Sequence, residues 1–331
     1  MIFYIFKRLL YAIPLLLLIS FVSFFVITLP PGDYLNEFES QLMTQQNISQ
    51  EEIKEITDKM REQYGLDQPF LVQYYKWVTG MLVGDFGYSM EYRKPVFDLI
   101  WDRLAWTMTI AFSSYFIALF IGTLAGILSA AKQYGFSDYF FAFFSFLGFS
   151  VPEFFLALVM MYTLVFWFGV ENVGGLFSPD MVMQPWSWLK FLDLLSHIWL
   201  PILITGVAGT ARTLRVMRAN MLDILNQPYI QAARAKGVSY NKIIFTHALK
   251  NAIHPIVMLF GMSLPWLIQG SMISSVVLNL PTVGPMFLQA LLGQDMYLAG
   301  SFLFMIAVFT VMGNILADII LAAVDRRVAY E

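Results

Sequence analysis

LAWTMTIAFSSYFIALFIGTLAGILSAA, residues 104–131, lies between Arg103 and Lys132 and holds no charged side chain. A helix needs about 20 apolar residues to cross the hydrocarbon core of a bilayer, and this stretch exceeds that. The same pattern recurs outward along the chain. No charge falls between Arg8 and Asp33, or between Lys250 and Asp295. Between Asp138 and Glu171 the single charge is Glu153, and between Asp295 and Asp325 it is Asp318. The shorter gap from Asp193 to Arg212 contains the apolar run Ile198–Ile204. Helices and closed barrels are the structures that satisfy their backbone inside a bilayer, and these runs lack the alternation of barrel strands. The sequence therefore predicts an all-α polytopic membrane protein with six transmembrane helices, near 9–30, 105–131, 139–168, 196–216, 253–279 and 300–324.

Composition agrees. The 331 residues are 58% hydrophobic and only 13% charged, with a mean hydropathy of +0.65. Soluble domains carry about 25% charged residues. Cysteine is absent and histidine numbers three, which leaves no disulfide framework and little material for a metal centre. A net charge of −3 does not point to nucleic acid. The first run follows Lys7-Arg8 but is too long for a signal-peptide core and ends in Leu29-Pro30-Pro31 without a small-x-small site, so it is expected to be retained as a span.

Basic residues near the span ends set the expected orientation. With the N-terminus inside, the inner segments hold Lys7, Arg8, Lys132, Arg212, Arg215, Arg218, Arg234, Lys236, Lys242, Lys250, Arg326 and Arg327, whereas the short outer loops hold only Lys190. Both termini are then cytoplasmic.

Two hydrophilic regions stand out. Residues 31–104 open on the turn signal Pro30-Pro31-Gly32-Asp33 and continue with Ser49-x-x-Glu52, a capping box. Ile53, Ile56 and Met60 follow at helical spacing, and Phe70–Leu82 is a second amphipathic stretch. This acidic, water-facing region reads either as a lid on the bundle or as a docking surface. The second region is Arg212–Asn251. Arg212, Arg215 and Arg218 line one side of a helix that continues out of the fourth span. Pro228 suits a helix first turn and Gly237 its left-handed C-terminal position. Between them Ala232, Ala233 and Ala235, with Arg234 and Lys236, read either as a solvated connector or as a plug for a socket.

Gln231-Ala232-Ala233-x-x-x-Gly237, followed by His247-Ala248-Leu249-Lys250-Asn251-Ala252 and Pro255, resembles the Glu-Ala-Ala signature loop of ABC importer permeases. Further pieces resemble the oligopeptide and dipeptide permease branch. They are Tyr64-Gly65-Leu66-Asp67-Gln68-Pro69, Gln73-Tyr74, Trp77, Gly84-Asp85-Phe86-Gly87-Tyr88-Ser89 and Pro95-Val96. Arg103-Leu104, Thr107, Ser150-Val151-Pro152-Glu153-Phe154, Ala211-Arg212-x-x-Arg215 and Tyr229 complete the set, in order along the whole chain. The resemblance implies a binding-protein-dependent type I importer. In it two permease subunits form the pore, two cytoplasmic ATPases bind ATP and Mg²⁺, and an external binding protein delivers the solute. This chain itself would hold no cofactor. Residues 1–30 would be the first span, 31–104 an extracytoplasmic insertion that helps dock the binding protein, and 105–331 the core with its signature loop at about 217–252. Coupling to an ATPase would fall to Tyr229, Gln231, Ala232, Ala233, Arg234, Gly237, His247 and Asn251.

Two departures from the family pattern appear. Gln231 stands where the signature usually starts with an acid, and Ser275 stands where the fifth span commonly carries glutamate, ahead of Pro281-Thr282-Val283-Gly284-Pro285. The second leaves short oligosaccharides beside oligopeptides as expected solutes. Charges inside spans are costly and tend to face a cavity or a partner. Glu153, after Pro152, is therefore a candidate for the translocation path together with Pro152 and Ser275, while Asp318 reads as structural. Trp186, Trp188 and Trp199 read as an interfacial belt. Rival functions find little support. Gly148-x-Ser150-x-Pro152 lacks the closing glycine of a hydrolase elbow, no His-Glu-x-x-His occurs, no repeat marks a secondary transporter, and no Gly-x-x-x-x-Gly-Lys-[Ser/Thr] loop marks an ATPase.

Overall fold

A computed structural model describes residues 2–30, 34–44, 49–259 and 271–324. The fold is all-α apart from one short hairpin. In chain order the helices are α1 (Ile2–Thr28), α2 (Tyr34–Thr44), α3 (Gln50–Tyr64) and α4 (Phe70–Leu82), then the hairpin β1 (Tyr88–Ser89) and β2 (Lys94–Pro95). After them come α5 (Val96–Ala131), α6 (Phe136–Ser150), α7 (Glu153–Phe166), α8 (Pro179–Val182), α9 (Trp188–Leu225) and α10 (Pro228–Ala235). The short α11 (Tyr240–Lys242), a π-helical turn (Ile243–Ala248) and α12 (Leu249–Ala252) lead towards α13 (Met272–Val277), α14 (Val283–Leu292) and α15 (Met296–Val324).

Among the described residues, four helices are long and apolar enough to cross a membrane, at Phe6–Thr28, Val96–Ala131, Trp188–Leu225 and Met296–Leu316. The expected continuous span at 139–168 is instead a pair, α6 and α7, bent by 105°. Pro152 causes the break, because it has no N–H to donate and disfavours helical backbone at Val151 before it. Counting that pair gives five spans. The centre of the expected span at 253–279 lies outside the described residues. The expected span at 196–216 is the middle of a longer rod, α9, which starts at the Ser187 cap.

The chain divides into two compact units, Ile2–Ala105 with Thr282–Met312, and Trp106–Pro281 with the chain from Gly313. In the first unit, Phe24 of α1 and Trp77 of α4 are buried with Met296, and Phe70, Tyr74 and Phe304 pack around them. The Ser49–Glu52 capping box forms as expected. Asp295, fully buried before α15, accepts from Ser89 Oγ at 2.6 Å, Glu91 N at 3.2 Å and Leu298 N at 3.1 Å. Ser301 Oγ donates to the Phe86 carbonyl at 3.2 Å and Tyr297 OH to the Tyr64 carbonyl at 2.9 Å. The Gly84–Ser89 motif is therefore a clip fastened to the start of α15.

Burial pushes the Asp295 carboxyl above its ordinary value of 3.8, with its donors pulling it back. The folded state then holds that proton more tightly than the unfolded chain, so this joint loses stability as pH rises from 3.8 through the raised folded value. Asp295→Ala should strand three donors, each costing about 1–3 kcal/mol if left unsatisfied. The expected outcome is faster amide exchange at Glu91 and Leu298, and loss of the pH dependence that Asp295 contributes.

In the second unit, α5 and α9 approach closely because Gly122 and Gly126 face Thr210, Thr213, Leu214 and Met217. The loop before α9 is held from inside. Lys190, 7% exposed, donates to the carbonyls of Val182 (3.0 Å) and Gln184 (2.6 Å) and lies over the rings of Phe177 and Trp186. Asp193 accepts from the Ser178 amide (2.8 Å) and hydroxyl (2.6 Å). The single basic residue expected in the short outer loops is thus an internal clamp. Trp186 belongs to that clamp and also stacks on Trp106.

Candidate functional site: an anchored short helix and a membrane carboxylate

The signature stretch folds as its residues suggest. Pro228 occupies the first turn of α10, after Gln227 in extended conformation. At the other end Gly237 has φ +77°, its N–H bonds to the Arg234 carbonyl (2.9 Å), and Val238 N–H reaches back to Ala233 (3.2 Å). This is a Schellman cap, and the left-handed residue in it is the position glycine takes without a Cβ penalty.

One side of α10 is fastened down. Ile230 is 0% exposed and joins Ile127 and Ala130 of α5 with Met217, Met221 and Leu225 of α9 and Ile243 and Ile244 of the π-helical turn. Ala233 and Val238 pack on the same cluster. Tyr229, Gln231, Ala232, Arg234, Ala235 and Lys236 stay exposed. The structure therefore separates the two alanines of the signature, with Ala233 turned to the core and Ala232 to solvent. Asn251 Nδ2 donates to the Tyr229 hydroxyl at 2.9 Å, which brings together two candidate residues 22 positions apart. Gln231 Nε2 reaches the Leu225 carbonyl at 3.5 Å. His247 is half-buried in the π-helical turn, a backbone irregularity that recurs at functional sites.

The arginine stripe is mostly consumed by internal contacts. Arg218 forms a two-pronged ion pair with Asp138 at the start of α6, both contacts at 2.7 Å. Ser129 of α5 also donates to Asp138, as does the Tyr134 amide at 2.9 Å. Arg215 lies over Phe146 and Phe149, and its Nε donates to Ser145 Oγ at 2.9 Å. Only Arg212 and Arg215 of the three count as exposed. Sequence reasoning missed the Asp138 pair, because the partners lie 80 residues apart.

Of the candidates for the path, Glu153 opens α7 directly after the exposed Pro152. Its Oε1 accepts from Thr205 Oγ1 of α9 (2.9 Å) and Ser274 Oγ of α13 (2.8 Å). Ser275 is buried, and the hydroxyl that meets Glu153 belongs to its neighbour Ser274. Asp318 is half-buried in α15. No group of three or more His, Cys, Asp or Glu among the described residues could hold a metal ion.

Two families match the chain. "Binding-protein-dependent transport system inner membrane component" covers residues 122–330, and "Binding-prot-dependent transport system membrane comp, N-term" covers residues 1–111. The oligopeptide transport system permease protein AppB of Bacillus subtilis (strain 168) is 36% identical over 328 residues, 99% of each chain. The dipeptide transport system permease protein DppB of Alkalihalophilus pseudofirmus is 29% identical over 343 residues, 100% of each chain. The glutathione transport system permease protein GsiC of Escherichia coli (strain K12) is 29% identical over 328 residues, 99% of each. These are transport subunits, matched along their full length. The chain is a multi-pass inner-membrane protein and belongs to the inner-membrane components of binding-protein-dependent transport systems, as an ABC importer permease of the peptide family.

Proposed function

We propose that this chain forms half of the translocation pathway of a binding-protein-dependent peptide importer and couples it to ATP hydrolysis through α10. The carrying observation is the two-sided build of α10, with Ile230 sunk in the α5–α9 core and a small, basic face at Ala232, Arg234, Ala235 and Lys236 left open. Small side chains allow close approach of another surface, and the buried anchor makes a push on α10 a push on α9. In this reading Tyr229, Gln231, Ala232, Arg234 and Asn251 meet a cytoplasmic ATPase subunit, Ala233 and Gly237 hold the helix in shape, and His247 supports it from the π-helical turn. Two ATPase subunits bind the ATP and Mg²⁺, a second permease completes the pore, and an extracytoplasmic binding protein docks on the 31–104 insertion. Both termini then face the cytoplasm. Peptides are the proposed solute, since the relatives are named for oligopeptide, dipeptide and glutathione transport. Nothing comparable supports short oligosaccharides.

The test is substrate-stimulated ATP hydrolysis by the assembled complex. Ala232→Trp adds bulk to the exposed face without touching the buried cluster, and should cut stimulation by about tenfold, equivalent to about 1.4 kcal/mol of lost docking. Gly237→Val forces a β-branched residue into positive φ and should uncouple similarly. Full stimulation in both variants would remove α10 from the coupling role.

A further inference from the structure

Glu153 stands at the break between α6 and α7, a pair long enough to span whose one other charged residue is Asp138 at the start of α6. Two hydroxyls from two other helices converge on one of its oxygens, Oε1. Among the described residues no Lys, Arg or His pairs with it. The stretch 260–270, FGMSLPWLIQG, carries no charge that could do so either. Such residues in membrane segments mark pathways or partners.

The break is rich in acceptors. Pro152 has no N–H for the Gly148 carbonyl one turn back. Ser274 Oγ lies 2.8 Å from Glu153 Oε1 and 3.0 Å from the Ser271 carbonyl, and that carbonyl already accepts the Ser275 N–H at 2.9 Å, which leaves the Ser274 proton for Glu153. Both hydroxyls reach Oε1, and among the described residues no donor reaches Oε2, so the group that would complete this site is cationic and carries N–H bonds.

We propose that Glu153 is the counter-charge for the amino-terminal ammonium of a peptide in transit. The inference rests on the peptide-importer reading above. An ammonium has three donors and no acceptor. Linear peptides with a free amino end share that group whatever their side chains, so one fixed carboxylate serves many sequences. A charge entering a low-dielectric route needs such compensation, whereas the neutral backbone behind it needs only hydrogen-bonding partners.

The experiment uses the whole importer in proteoliposomes, with both permeases, the ATPases and the binding protein, and measures trialanine uptake. Glu153→Gln keeps the side-chain length and an oxygen for Thr205 and Ser274, but removes the charge. Glu153→Asp keeps the charge and shortens the arm. With equal amounts of assembled complex, Glu153→Gln should lower uptake about tenfold while Glu153→Asp stays within about threefold of the parent, the ranking that charge compensation demands. Uptake by Glu153→Gln equal to or above that of Glu153→Asp would overturn the proposal, because a purely structural hydrogen-bonding role predicts that order. Trialanine uptake by the parent together with the wrong ranking overturns the Glu153 role alone. No trialanine uptake by the parent overturns the peptide reading and this inference with it.

Discussion

Gly126→Val should yield little or no monodisperse permease after detergent extraction. A Cβ at Gly126 would lie 2.7 Å from Met217 Cβ, 2.8 Å from the Leu214 carbonyl oxygen and 3.1 Å from the Arg218 amide nitrogen. Two of these neighbours are α9 backbone, which cannot swing aside. Gly122, one turn earlier, meets Thr213 Cβ at 2.7 Å and the Thr210 carbonyl at 2.8 Å. Small residues four apart are how helices in lipid come into backbone contact, where no hydrophobic drive holds them together. Overpacking a core costs about 1–3 kcal/mol when side chains can yield, and more when backbones must part. Gly126→Ala should fall between the parent and Gly126→Val in thermal midpoint. Leu128→Ala, at an exposed position on the same helix, should change little. A Gly126→Val protein that is folded and as heat-stable as the parent would show that α5 and α9 need not touch.

Arg218→Ala should be the most damaging single change among the charged residues. Asp138 is 5% exposed and Arg218 30% by side chain. Without the guanidinium, the carboxylate keeps the Ser129 hydroxyl and the Tyr134 amide but has no counter-charge. Removing one partner of a buried pair typically costs about 3–5 kcal/mol, more than the pair contributes when intact, because the survivor is left desolvated and alone. Asp138→Ala with Arg218→Ala should therefore recover much of the loss, and a double-mutant cycle on thermal unfolding should return a coupling of about 2 kcal/mol or more. Arg218→Lys should not rescue fully, since an ammonium cannot make the two parallel contacts. Single variants as stable as the parent would mean the pair is solvated in the membrane-embedded protein.

The features legible in the sequence are local ones. The Ser49–Glu52 box, the Phe70–Leu82 helix, Pro228 at a first turn and Gly237 in the left-handed region each depend on residues within one or two helical turns, and each is found. The charge-free runs marked apolar helices for the same reason. Pro152 carried the signal for a break, yet its size depends on what α6 and α7 pack against, so a straight span was expected where a 105° bend is found. The two alanines of the signature looked equivalent until Ile230 fixed which face of α10 is buried. Lys190 counted as an outer-loop charge, and only the folded loop reveals the carbonyls and rings that enclose it. Asp138 and Arg218 belong to different spans, and nothing near either one announces the other. Gly122 and Gly126 stand four residues apart, but their packing role shows only in the close approach of α9 to both.

α9 has 38 residues, hence a length of about 57 Å. The hydrocarbon layer is only about 30 Å thick, so the rod overshoots it by nearly its own half-length. One end is gripped by the loop that Lys190 and Asp193 fasten, the other by Ile230 and the cluster under α10. Pro201 lies off-centre between them, inside a helix that runs on unbroken through it. A pivot there divides the rod into arms of roughly 20 Å and 36 Å at 1.5 Å per residue. Each degree of swing then moves the α10 end by about 0.6 Å, nearly twice the travel at the loop end. A rigid rod turned about that level would be geared unequally, a small displacement at the loop end giving a larger stroke at the α10 end and a force at the α10 end returning magnified to the loop.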